Sequence, residues 1–242
     1  IAWLDNSIIK FTKATNLNPN YTDGFINLGI IYEHKNNFDE SEKFYKKAID
    51  TNENSIKALL RLSLLLGKLK RNKDALKSFE RILIIDPNQY EALNEKGRIL
   101  MDIGDYSEAK KFFEKAHKIR PNELIPSFNL GGVYRKLGDL ISARNIFHNL
   151  LNKFNDNIHV LTALGDISNE VGDYINAKKY FERSLKISPN NPNTYAAIGR
   201  LFIELGDGLN ANKNFFKAVE LDPQNQLNCY QLAKSYNEEL KE

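Results

Sequence analysis

The stretch Leu130–Phe147, LGGVYRKLGDLISARNIF, decides the fold. Leu130, Gly131 and Tyr134 are spaced to share one face of a helix, and Ala143, Phe147 and Leu150 share one face of a second. Between the two stripes stands Gly138-Asp139. The glycine can end the first helix in a left-handed conformation without a Cβ clash. The aspartate can start the second, its carboxylate facing free N–H groups and the positive end of the helix dipole. The stretch therefore reads as a helix pair, A then B. Small residues at the crossing let the backbones approach, and Phe147 fills the space beside them.

The same residues return outward from this stretch at a period of 34, without insertion or deletion. The small residue of helix A reads Gly29, Ser63, Gly97, Gly131, Gly165, Gly199, Ala233. The small residue of helix B reads Ser7, Ser41, Ala75, Ala109, Ala143, Ala177, Ala211, and its aromatic reads Phe11, Tyr45, Phe79, Phe113, Phe147, Phe181, Phe215. Prolines Pro19, Pro87, Pro121, Pro189 and Pro223 stop helix B, with Glu53 and Asn155 filling the gaps in that column. A fixed period of this size means one supersecondary unit stacked on copies of itself. The spacing predicts six full units, 22–55, 56–89, 90–123, 124–157, 158–191 and 192–225. Residues 1–21 then form a lone helix B and 226–242 a lone helix A. Three local departures carry expectations. Lys70-Arg71 replaces the glycine-aspartate pair and predicts a less regular turn. Lys96, where an apolar residue is usual, unsettles the third helix A. Gly208 loosens the start of the sixth helix B.

Composition limits the function classes. With 34 basic and 31 acidic residues the net charge is +3, which argues against a dedicated nucleic-acid or membrane surface. The single cysteine excludes an internal disulfide, and no apolar run is long enough to span a bilayer. No phosphate-binding loop, nucleophile elbow or metal-ligand spacing occurs, and the four histidines form no i, i+4 pair. The expectation is a protein without catalytic residues, cofactor or metal.

With these columns in place, the chain resembles the tetratricopeptide repeat family. The fourth unit carries the pattern as Asn129-Leu130-Gly131-Gly132-Val133-Tyr134, then Ala143, then Phe147. The resemblance covers nearly the whole chain. It implies an all-α fold, an α–α superhelix: a right-handed solenoid of stacked antiparallel helix pairs forming one array over 1–242. It also implies a scaffold whose concave face, lined by helix A, binds an extended peptide or partner segment. A substrate-recruiting segment of a larger enzyme, such as a glycosyltransferase, is the alternative. Cytoplasm is the default compartment. The lone terminal helices would leave Trp3, Leu4, Ile8 and Ile9 open at one end and Leu232, Tyr236 and Leu240 at the other. This predicts either a longer native array or head-to-tail self-association.

The helical period names the candidate groove: Ile26, Asn27, Ile30, Lys57, Leu60, Arg61, Leu64, Asn94, Arg98, Phe128, Asn129 and Arg135. Ile26, Ile30, Leu60 and Leu64 would form an apolar floor that Phe128 extends. Arg61, Arg98 and Arg135 would place positive charge at the centre for acidic groups of the ligand. Asp166, Glu170 and Glu204 make the C-terminal half more acidic, with Arg200 and Lys234 interspersed. Some family members hold a peptide's C-terminal carboxylate with lysine, arginine and asparagine. Asn27, Lys57 and Arg61 match part of that clamp.

Overall fold

The computed structural model describes residues 2–239, and among them every regular element is an α-helix. Cα packing divides the chain into two units, Ile1–Asn122 and Glu123–Glu242. The first contains α1 (Ala2–Leu17), α2 (Thr22–His34), α3 (Phe38–Thr51), α4 (Ile56–Lys68), α5 (Asn72–Ile85), α6 (Tyr90–Asp102) and α7 (Tyr106–Ile119). The second contains α8 (Leu124–Lys136), α9 (Leu140–Lys153), α10 (Ile158–Glu170), α11 (Tyr174–Ile187), α12 (Pro192–Glu204), α13 (Gly208–Leu221) and α14 (Gln226–Glu239). Even-numbered helices are the A helices and odd-numbered ones the B helices. From α2 to α13 each A helix has 13 residues and each B helix 14, so the sequence period is also a structural one. Within each unit an A helix packs on its own B helix, on the preceding B helix and on neighbouring A helices.

The aromatic column forms the core. Tyr45, Phe79 and Phe113 are fully buried in the first unit, and Phe147, Phe181 and Phe215 are 1–2% exposed in the second. Each ring lies against the small residue of helix A; a Cβ built on Gly131 would stand 2.8 Å from the Phe147 ring. Tyr45 keeps its polar end satisfied by donating to Glu33 at 3.0 Å, and burial together with that carboxylate raises its pKa. Trp3 and Ile9 are about two-thirds exposed on α1, Leu4 and Ile8 are half-buried, and on α14 Leu232 is half-buried and Tyr236 46% exposed. Leu240 lies outside the described residues.

The turns follow the glycine-aspartate logic. Gly138 takes φ +81°, and Asp139 accepts from the Ser142 N–H at 3.0 Å. The turn expected to be irregular lacks the side-chain cap, since Arg71 accepts no backbone N–H, but its backbone follows the other turns. Lys70 adopts φ +60°, and the Arg71 N–H reaches the Leu66 carbonyl at 2.9 Å, as the Asp139 N–H reaches Tyr134. Packing of α4 on α5 imposes the turn and Lys70 absorbs the strain. Lys70→Gly should therefore raise the unfolding free energy by about 0.5–1 kcal/mol, the relief of the left-handed lysine less the added entropy of glycine. Urea denaturation followed by circular dichroism checks this; a destabilised variant would show that no strain resides there.

Two other expectations are corrected. Lys96 does not disturb α6: its ammonium lies 3.2 Å from Glu80 and 4.5 Å from the centroid of the Phe112 ring, so a buried charge has both an anion and a π face. Gly208 does not loosen its turn, because Asp207 accepts from the Asn210 N–H at 3.0 Å and α13 keeps its full length.

Candidate functional site

The A helices of each unit carry the predicted groove residues. In the first unit two of them are not at the surface. Ile26 is 1% exposed within the core cluster, and Asn94 is 7% exposed. Ile30, Leu60 and Leu64 are half-buried against the same cluster and form what remains of the apolar floor. Asn27 is half-buried and Arg61 exposed. Lys57 pairs with Asp23 at 2.7 Å, and Arg98 with Glu95 at 2.8 Å and Asp102 at 3.3 Å. The positive charge expected at the centre is thus largely answered by the chain's own acids. Lys57 would have to leave Asp23 to act in a carboxylate clamp.

In the second unit Phe128 packs edge-on against Phe147, ring centroids 5.3 Å apart, and it extends the core as much as the floor. Asn129 is half-buried beside it. Arg135 on α8 reaches forward to α10, binding Asp166 at 3.0 Å and Glu170 at 2.6 Å. The other oxygen of Asp166 accepts from Arg200 on α12 at 3.0 Å. Three successive A helices are stapled by one carboxylate whose side chain is only 12% exposed. Burial by itself would lower the Arg135 pKa; the hydrogen bonds and charges of Glu170 and Asp166 outweigh it and hold the pKa above its ordinary value.

The staple residues line one side of a cleft of about 400 Å³ bordered by α8, α10, α12, α13 and α14. Its lining is mixed: Leu227, Tyr230 and Ile203 are 61%, 64% and 36% exposed and stand with the Phe215 ring beside the charged side chains of the staple, Arg135, Asp166, Glu170 and Arg200. Two acceptors behind this lining, Asn169 Oδ1 and Gln231 Oε1, are shut off from solvent and have no hydrogen-bond partner among the described residues. Glu204 and Lys234 stand at its rim. Leu227, Ile203 and Asn169 fall outside the columns that sequence reasoning chose. They line up at the second and twelfth positions of helix A, a periodicity the sequence does contain. Among the described residues no cluster of three or more histidine, cysteine or carboxylate side chains could hold a metal. Among them, too, no helix is long and apolar enough to cross a membrane.

Tetratricopeptide repeat family models match residues 22–55, 56–89, 90–123 and 158–191, more than half of the chain and in register with the helix pairs. No curated protein matches the sequence. A tetratricopeptide repeat protein from Parabacteroides merdae superimposes with a TM-score of 0.79 at 19% identity, over 96% of this chain and 92% of that one. A chain of the APC/C hetero-tetramer Cut9–Hcn1 gives a TM-score of 0.74 at 15% identity over 96% of this chain and 46% of that one. YrrB, a tetratricopeptide repeat protein with an unusual peptide-binding site, gives 0.56 at 20% identity over 77% and 96%. At these identities the likeness is one of fold, the all-α superhelix. With the helix pairs, their columns and the matched repeats in agreement, the chain belongs to the tetratricopeptide repeat family.

Proposed function

We propose that this chain is a non-catalytic protein-interaction scaffold, residues 1–242 working as one repeat array, and that it binds an extended peptide along the inner faces of its A helices. The cleft of the second unit supports this most directly, because the exposed Leu227 and Tyr230 side chains stand there beside the charged groups of Arg135, Asp166 and Arg200. In the first unit the reading keeps Asn27, Ile30, Lys57, Leu60, Arg61 and Leu64 as contact residues. Rigid helices hold these groups in place before the ligand arrives, which reduces the ordering cost of binding.

A random peptide library displayed on phage and selected on the purified protein supplies the probe. Selected peptides should bind the wild type in a fluorescence anisotropy titration. Tyr230→Ala should weaken them about tenfold, the usual effect of removing an aromatic anchor. Arg61→Glu should alter those peptides that reach the first unit. Selected peptides indifferent to both changes would place the binding surface elsewhere.

A further inference from the structure

One apolar column of the A helices reads Leu28, Leu62, Lys96, Leu130, Leu164, Ile198 and Leu232, so a lysine stands where every other repeat places an aliphatic residue. One solvent column of the B helices reads Asn16, Asp50, Ile84, Lys118, Asn152, Lys186 and Glu220, so an isoleucine stands where every other repeat places a polar residue. Each inversion opposes its surroundings, since Lys96 is 8% exposed and Ile84 81%. Both side chains line the same pocket of the first unit, a hollow of about 390 Å³ between α5, α6 and α7.

The fold requires neither residue. Leucine or isoleucine fills the Lys96 position elsewhere, and a buried ion pair is often no more stabilising than apolar side chains packed in its place. The ammonium is also incompletely answered. It carries three N–H donors. Glu80 accepts one at 3.2 Å, the Phe112 ring faces the charge, and no second acceptor reaches it among the described residues. Glu80 is loosely held: its side chain is 60% exposed and free to turn into water. Around this charge the lining is apolar, with Leu83, Leu93 and Phe112 inside and Ile84 at the mouth. The charged residues that line the pocket are Glu80, Lys96 and Lys115, two bases against one acid.

We propose that this pocket binds a small amphiphilic monoanion, a carboxylate on an apolar body. The carboxylate takes the place of Glu80 on the Lys96 ammonium, and the apolar body lies against Leu83, Phe112 and Ile84. The charges select this ligand. A cation would face two lysines, and a neutral apolar molecule would leave the buried ammonium without its acceptor. The site does not depend on the peptide reading, which rests on the inner faces of A helices. Here Ile84 and Lys115, at the mouth, belong to the B helices α5 and α7.

The test titrates octanoate into the whole isotope-labelled protein and follows amide shifts by two-dimensional NMR. Saturable shifts should centre on α5, α6 and α7, with a Kd in the millimolar range expected for a ligand of this size. Lys96→Leu restores the residue of the other repeats. It should keep the wild-type circular dichroism and weaken octanoate at least about tenfold. The uncharged analogue 1-octanol should bind the wild type at least about tenfold more weakly than octanoate. Glu80→Gln removes the competing carboxylate and should tighten octanoate several-fold, whereas Ile84→Asn should weaken it several-fold. Shifts centred elsewhere or not saturating in the millimolar range, undiminished binding to Lys96→Leu, or equal binding of octanol would overturn the proposal. So would weaker binding to Glu80→Gln, which would make Glu80 part of the ligand site instead of its competitor.

Discussion

Phe181→Ala is expected to lower the stability of the second unit by about 3–5 kcal/mol, the range for emptying a buried aromatic site. Phe181 is 1% exposed and belongs to a cluster with Ala177, Ala197 and Leu201. Its ring also occupies the space where Gly165 would carry a Cβ. One side chain thus holds α10 to α11 within a repeat and α11 to α12 between repeats. The stability of a repeat array is a sum of repeat terms and neighbour interfaces, and here both are lost together. The void cannot collapse easily, because helices of fixed length are pinned at both ends by the Asp173 cap and the following turn. A urea titration monitored by circular dichroism gives the value. Gly165→Ala provides the converse measurement, since it pushes a methyl into the same ring and should cost about 1–3 kcal/mol by overpacking. A loss below about 1 kcal/mol for Phe181→Ala would mean that the ring is not the pin between these helices.

How far the sequence could be read depended on what each residue answers to. The helix pairs, their lengths and the glycine-aspartate turns were legible because each is set by contacts at fixed short spacing. Lys70 was misread because local propensity was trusted where packing of α4 on α5 overrides it. Ile26 and Asn94 were placed in the groove because a helical period gives an angle, and at their angle core and concave face adjoin. Side chains of the neighbouring B helix then decide exposure, and no single-helix pattern contains that. The charges were misjudged for a related reason. Arg135 was treated as available to a ligand, yet its acids stand 31 and 35 residues ahead, and Asp166 stands 34 residues before Arg200. In a stack of period 34 such separations mean adjacent A helices, as they do for Asp23 and Lys57. Pairing charges one period apart before assigning any to a ligand would have found the staple.

That staple carries the second large effect. Asp166→Ala should cost about 1–3 kcal/mol, less than the roughly 3–5 kcal/mol of breaking a fully buried pair, because the Arg135 and Arg200 side chains keep 28% and 38% exposure. The loss arises from leaving two guanidinium groups facing one another across a shielded site with only Glu170 to answer Arg135. Arg200→Ala should cost less, since Asp166 keeps its bond to Arg135. The double variant should then be less destabilised than the sum of the single ones, a coupling that a double-mutant cycle reads directly. Salt separates this from an ordinary surface pair. Exposed charges are screened at high ionic strength, whereas a carboxylate with 12% of its side chain exposed is screened much less. The destabilisation of Asp166→Ala should therefore persist when the urea titration is repeated in high salt. Its disappearance there, or additivity of the two substitutions, would reduce the staple to a solvated ion pair. The three A helices would then be held together by their apolar contacts alone.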